Sequence, residues 1–332
     1  MSYRNKKTRE FGDRLNESTE KLVEQGDLFT LAPHDDAEAE RTGYSNYSYW
    51  RSTLQTFSKD RVAVFFLCVL IALLLFTFIQ PHLPGQKDPV KIYNDAKGMQ
   101  IVNHVPGSDF WFGTNSIGQD LWSRVWSGTR TSLMIGFSVA GVEIVLGVLI
   151  GVLWGYLRKL DFLFTEIYNI VDNVPQTIIL ILISYILRPS VSTLILAMCL
   201  TGWLDMARFI RNQIVIIRDR DYNVASRCLG TSTFRIIFRN LLPYMVSIIM
   251  LRASLSIPSA IGNEVFLTYI GLGLPVDTPS LGNLINAGRV LMLSPDLRYQ
   301  LIFPTVILSI ATVSFYIIGN AFADASDPKN HI

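Results

Sequence analysis

Residues 62–79 contain no charged side chain, and at helical rise they cover about 27 Å, the depth of a bilayer's hydrocarbon. At that depth no water is available to satisfy peptide N–H and C=O groups, so the run can only be a helix. Five further apolar stretches follow, at 131–157, 164–187, 191–206, 245–270 and 301–322. A chain with this succession is expected to be an all-α polytopic membrane protein with six transmembrane helices.

Composition agrees. Half the residues are hydrophobic, 17% are charged, and the net charge is +2, which offers nucleic acid no electrostatic purchase. The three cysteines cannot make a disulfide framework; Cys68 and Cys199 in spans and Cys228 in a loop read as small buried residues. No G-x-x-x-x-G-K-[ST] loop is present, and His34, His82, His104 and His331 are scattered. No catalytic residue, bound cofactor or metal site is therefore expected in this chain. The first apolar run starts at Arg61 behind a long charged stretch, so it is expected to remain as an anchor and not to be cleaved.

Residues 1–60 read as a tail, with a marginal helix at 16–25, ending in an aromatic and basic elbow (44–59) on the membrane surface. Residues 61–80 are the first span and 81–130 an extracellular loop region. Within it Ser116 is the expected start of a helix with Leu121, Val125 and Trp126 on its apolar face. Residues 131–324 form a five-span core, in which Gly147, Gly151 and Gly155 invite close helix packing. A Gly/Pro-rich connection at 271–292 should hold a short amphipathic helix, and 325–332 is a tail. Basic residues concentrate at one end of the spans: Arg51, Lys59 and Arg61; Arg158 and Lys159; then Arg208 through Arg239. That end is expected to be cytoplasmic, with both termini.

The loop 212–243 cannot cross a bilayer. Tyr222, Ala225 and Leu229 share one face of a helix expected at 222–229. Gly230 stands where a left-handed C-cap is wanted, and Ser232 where a second helix, 233–241, would be capped. Pro243 hands the chain to the next span.

This arrangement resembles the coupling loop of ABC-importer permeases: Ala225, Ser226 for a second Ala, Gly230, Leu242 and Pro243, with Val224 where many members carry Glu. Further stretches are similar to the C-type permease subunits of oligopeptide, dipeptide and nickel importers. They are Phe112-Gly113-Thr114, Gly118-Gln119-Asp120, Trp203 with Ala207, Arg208 and Arg211, Ile270 to Gly273, Pro279 to Gly282, and Asp324 to Pro328. The resemblance implies a type I ABC importer permease fold and transport of oligopeptides, with dipeptides or nickel chelates as the alternative cargo. It implies a homologous second permease subunit, two ABC ATPase subunits that bind ATP and Mg, an extracytoplasmic peptide-binding protein, and residence in a bacterial plasma membrane. Tyr222, Ala225, Ser226, Arg227, Gly230, Leu242 and Pro243 would then meet the ATPase.

Charges at bilayer depth usually face a bundle interior or water. Glu264 with Asn263, and Ser259 and Ser256 before them, are expected on the translocation path. Asp172 and Arg252 suit interhelical or interfacial salt bridges, and Asp205 can pair with Arg208 one turn on. A stand-alone secondary transporter is the rival, but it would need repeated halves with broken helices, and the arginine-rich loop would have no purpose.

Overall fold

Asp60 marks the point where the chain enters the bundle. Its carboxylate accepts from the Val62 and Ala63 amides and separates α1, Tyr49–Lys59, from α2, Arg61–Ile79. The computed structural model that shows this describes residues 49–326, so the expected helix at 16–25 and the residues from 327 onward lie outside it. Of the expected elbow at 44–59, the described part is α1. It packs on the far end of the last helix, where Phe57 lies 6.3 Å from the Phe322 ring.

Among the described residues nine more α-helices follow: α3 Leu121–Tyr156, α4 Arg158–Asp172, α5 Gln176–Ile186, α6 Val191–Arg218, α7 Asp221–Cys228, α8 Thr233–Ile236, α9 Leu242–Tyr269, α10 Leu281–Val290 and α11 Tyr299–Ser326. One π turn, Ile237–Leu241, joins α8 to α9 without a break. Among the described residues the only β pairing is isolated bridges in the segment before α3. Helices α2, α3, α6, α9 (with α8) and α11 are long and apolar enough to cross a membrane, so the protein is multi-pass.

The third span departs from expectation. In place of one helix over 164–187, α4 and α5 meet at a 73° bend. Pro175 sits in the gap; it has no N–H to donate and pushes the preceding residue off helical geometry. Helix α3 begins later than Ser116, at Leu121, capped by Asp120, whose carboxylate accepts from the Ser123 amide at 2.9 Å. Asn115 is the reason: its side-chain oxygen accepts from the Ile117 and Gln119 amides and holds those residues in a turn. Leu121, Val125 and Trp126 are buried, as their spacing predicts.

Packing is closest between α3 and α6. A methyl group at Gly147 would lie 2.4 Å from Met206, at Gly151 2.5 Å from the Ala207 carbonyl, and at Gly155 2.8 Å from Ile214. The small residues thus let two backbones touch along two turns. Helices α2, α9 and α11 close on α3 through Leu70, Leu73, Trp126, Leu133, Ile257, Ile261 and Phe315. The cysteines are not buried as expected: Cys68 and Cys228 are exposed and Cys199 partly so. Cys68 lies on an exposed face of α2, and Cys228 at the end of α7 in the projection.

The bundle has two different ends. One carries α1, the start of α4 and the projection α7–α8. The other carries residues 80–120 and α10, joined by Arg124, which donates to the carbonyls of Pro89 and Val276 at 3.0 Å each.

Candidate functional site

Two regions of the fold can do work beyond holding it together. The first is the projection between α6 and α9. Helix α7 ends where Thr231 N donates back to the Ser226 carbonyl at 3.0 Å and Gly230 N to Arg227 at 3.0 Å. This closure needs a left-handed residue, and Gly230 supplies it at φ +79°. Ser232 does not cap α8 as expected: its backbone is extended, but its hydroxyl accepts no helix N–H. Tyr222, Ala225, Arg227, Gly230 and Pro243 are exposed, while Ser226 and Leu242 are half-buried. Leu229 is 86% and Phe234 70% exposed, so the corner presents apolar side chains outward.

Two contacts fix the projection to the bundle. Asn223, fully buried, donates to the Ile217 carbonyl at 2.8 Å and accepts from Asn240 at 3.0 Å. It thereby binds α7 to the end of α6 and to the π turn. Asp219 accepts from Arg227 at 3.0 Å, Arg218 at 3.2 Å and Arg158 at 3.4 Å. The Arg227 guanidinium, with Arg218 and Arg158 beside it, holds the Asp219 carboxyl below the usual carboxylate range. Sequence reading singles out neither Asn223 nor Asp219. Their signal is geometric: both act across turns that a linear pattern does not show.

The second region is a groove of about 210 Å³ at the middle of α3, α6 and α9. Ser256, Ser259 and Asn263 line it, as their spacing on one face predicts. The lining also includes Glu143 of α3, Asp205 of α6 and Arg252, one turn before Ser256 on α9. The Glu143 carboxylate fills the space above Gly202, where a methyl group would come within 2.0 Å of Oε1, while the Ser256 hydroxyl donates to the Arg252 carbonyl at 3.2 Å. Glu143 is the residue sequence reasoning missed. A lone carboxylate within the otherwise apolar and glycine-rich α3 was the available signal.

Arg252 forms no ion pair among the described residues; its guanidinium lies 4.2 Å from the Phe209 ring centre. Asp172 does make an interhelical salt bridge, 3.5 Å to Arg208. Arg208 therefore reaches across to α4, where the Tyr168 ring also lies 4.4 Å away, in place of the expected partner Asp205 on its own helix. Asp205 is met by the Tyr168 hydroxyl at 3.4 Å.

Glu264 is not on the groove. It is fully buried away from the groove and accepts from Ser280 at 2.8 Å, Ser132 at 3.1 Å and Thr268 at 3.3 Å. A methyl group at Gly282 would stand 2.5 Å from its Oε1. The residue joins α3, α9 and the first turn of α10 in one polar contact. Glu264 therefore does not line the groove with Ser256, Ser259 and Asn263: adjacency to Asn263 in sequence is a turn of about 100° on a helix, enough to move it into a different contact.

Comparison with known proteins agrees with this architecture. Residues 144–332 match the family described as binding-protein-dependent transport system inner membrane component. Residues 48–98 match the N-terminal transmembrane domain of oligopeptide transport permease C. The oligopeptide transport system permease protein AmiD of Streptococcus pneumoniae is 36% identical over 304 residues, 91% of this chain and 97% of that one. The dipeptide transport system permease protein DppC of Bacillus subtilis is 32% identical, over 91% and 92% of the two chains. The oligopeptide transport system permease protein OppC of the same organism is 31% identical, over 91% and 97%.

Proposed function

This chain belongs to the binding-protein-dependent transport system inner membrane component family, the permease subunits of ABC importers, and on that premise we propose that it conducts oligopeptides into a bacterial cell. In importers of this family the ATPase activity lies in separate subunits. ATP and Mg would be held there, by two copies, and an extracytoplasmic binding protein would deliver the peptide. A homologous permease subunit would cover the groove of Glu143, Ser256, Ser259 and Asn263, completing a wet path across a plasma membrane. The projection and both termini would face the cytoplasm.

One observation carries the reading. The exposed corner around Gly230 continues through α8 and the π turn into α9, and the middle of α9 lines the groove. An ATPase that seats Tyr222, Ala225, Ser226, Arg227 and Gly230, with Leu242 and Pro243 at the root, would move the groove wall directly. Dipeptides are the second cargo, favoured by the 32% identity to a permease that carries that name.

The test is to isolate the tagged chain from its native membranes, identify what comes with it, and reconstitute that complex in vesicles. ABC ATPase subunits and a second permease should accompany it. The complex, given its binding protein, should take up labelled peptides only when ATP is present at the ATPase side. Uptake driven by an ion gradient without ATP would reject the proposal.

A further inference from the structure

The groove is uneven in charge. Glu143 and Asp205 face one cation, Arg252, near the middle of three membrane-crossing helices. Charges at that depth are costly and persist where they meet water or a partner group. Arg252 already has a companion in the Phe209 ring at 4.2 Å, and Asp205 one in the Tyr168 hydroxyl at 3.4 Å. Among the described residues no ion pair neutralises Glu143. Its position is nonetheless fixed, because Gly202 leaves a recess that the carboxylate fills. A side chain at 202 would displace it.

We propose that this groove is a binding site for a cationic group of the cargo, with Glu143 as the specificity-determining carboxylate. The ligand is an alkylammonium or guanidinium: a lysine or arginine side chain of the peptide, or its amino terminus. Ser256, Ser259 and Asn263 supply hydrogen bonds that suit any peptide backbone, so they add affinity without choosing charge. Glu143 adds the choice. The permease would then favour cationic over acidic peptides after the binding protein has released them. This inference rests on the proposed path, since it requires the groove to be open to cargo.

The experiment uses the whole importer in vesicles, with binding protein saturated by one of three peptides identical except for a central Lys, Gln or Glu. Initial uptake is compared between the unmodified complex and Glu143→Gln. The Lys-to-Glu uptake ratio should fall about tenfold, the scale of one charge-assisted hydrogen bond, while the Gln peptide stays within about twofold. Arg252→Gln should move the same ratio upward, and Glu143→Asp, which keeps the charge, should hold it near the unmodified value. These shifts are read as ratios, so a variant that assembles in lower yield still reports its charge preference. An unchanged ratio in both Glu143→Gln and Arg252→Gln overturns the inference. So does an equal loss for all three peptides in Glu143→Gln, the result expected if the carboxylate instead pairs with a cation of the second permease subunit. If the unmodified complex takes up no peptide, the importer reading falls as well, whereas uptake with an unmoved ratio defeats the charge site alone.

Discussion

Asn240 donates to the side-chain oxygen of Asn223 at 3.0 Å, and Asn223 passes its own amide on to the Ile217 carbonyl at 2.8 Å. The chain of donors crosses from the π turn through α7 to the end of α6, with Asn223 sealed from solvent. Three segments of the projection are thereby made to move together.

Replacing Asn223 by Leu takes the acceptor from the half-buried Asn240 amide and one donor from the Ile217 carbonyl, which still accepts from the Arg220 amide at 3.3 Å. Each lost hydrogen bond costs about 0.5–1.5 kcal/mol, so the purified complex should melt at lower temperature and hydrolyse ATP with weaker dependence on cargo. Both are read on one preparation, by thermal unfolding and by phosphate release with and without loaded binding protein. An unmoved melting temperature would show that the asparagine pair holds nothing.

Gly230 gives a cleaner test, because no atom lies within 4 Å of where its Cβ would stand. The cost of a side chain is conformational only. Gly230→Val should strain the corner by about 1–2 kcal/mol and reduce transport, while Gly230→Asn, which tolerates the left-handed region, should transport nearly as well. Equal transport by both variants would remove the corner from the coupling route.

The charge cluster at Asp219 has a defined pH signature. Its carboxyl is held low by Arg227, so its stabilising contribution is complete above the ordinary aspartate value of about 3.9 and is lost only as pH falls through the lower folded value. Acidifying from about pH 8 to about pH 5.5 should therefore leave this contact intact. Asp219→Asn should loosen Arg227 at every pH, seen as faster proteolysis at the projection. A parent protein whose projection becomes protease-sensitive between those two pH values would contradict the assignment.

Sidedness can be read with an impermeant maleimide on intact cells carrying single cysteines in a cysteine-free background. Asn94 lies exposed at the end opposite the projection, and Thr231 lies in the projection. Labelling at 94 and protection at 231 are expected. The reverse pattern would invert the proposed orientation.

Glu264→Ala should behave as a defect in packing, not in selectivity. It strips Ser132, Thr268 and Ser280 of their common acceptor, so yield and melting temperature should drop while relative uptake of cationic and acidic peptides stays constant. A change of charge preference with full stability would return Glu264 to the path.

What is legible in the sequence is local. The helix around Tyr222, the left-handed turn at Gly230 and the face shared by Ser256, Ser259 and Asn263 depend on neighbours within a turn or two. The glycines at 147, 151 and 155 declare a close contact, though not that α6 fills it. Glu264 escapes such reading because its surroundings come from residues 132 and 16 positions away, and no periodicity reports them. Glu143 escapes it because its environment is made by Gly202 on α6 and by the groove residues of α9. The bend between α4 and α5 is visible only as Pro175, whose effect on a span depends on what packs around it.

The clasp at Glu264 also bears on how the chain is made. An ionised carboxylate released into hydrocarbon without donors is heavily disfavoured, and α9 leaves the ribosome before Ser280 does. Ser132, by contrast, has long been synthesised, so one hydroxyl is waiting and another arrives 16 residues later. The lateral exit of α9 into lipid is thus expected to be most favourable once α3 is in place and the following loop has folded back. Insertion would be stepwise, with α9 held at the translocation machinery until α10 begins to form. A chain truncated just before Ser280 should consequently leave α9 loosely inserted, although every residue of that helix is present.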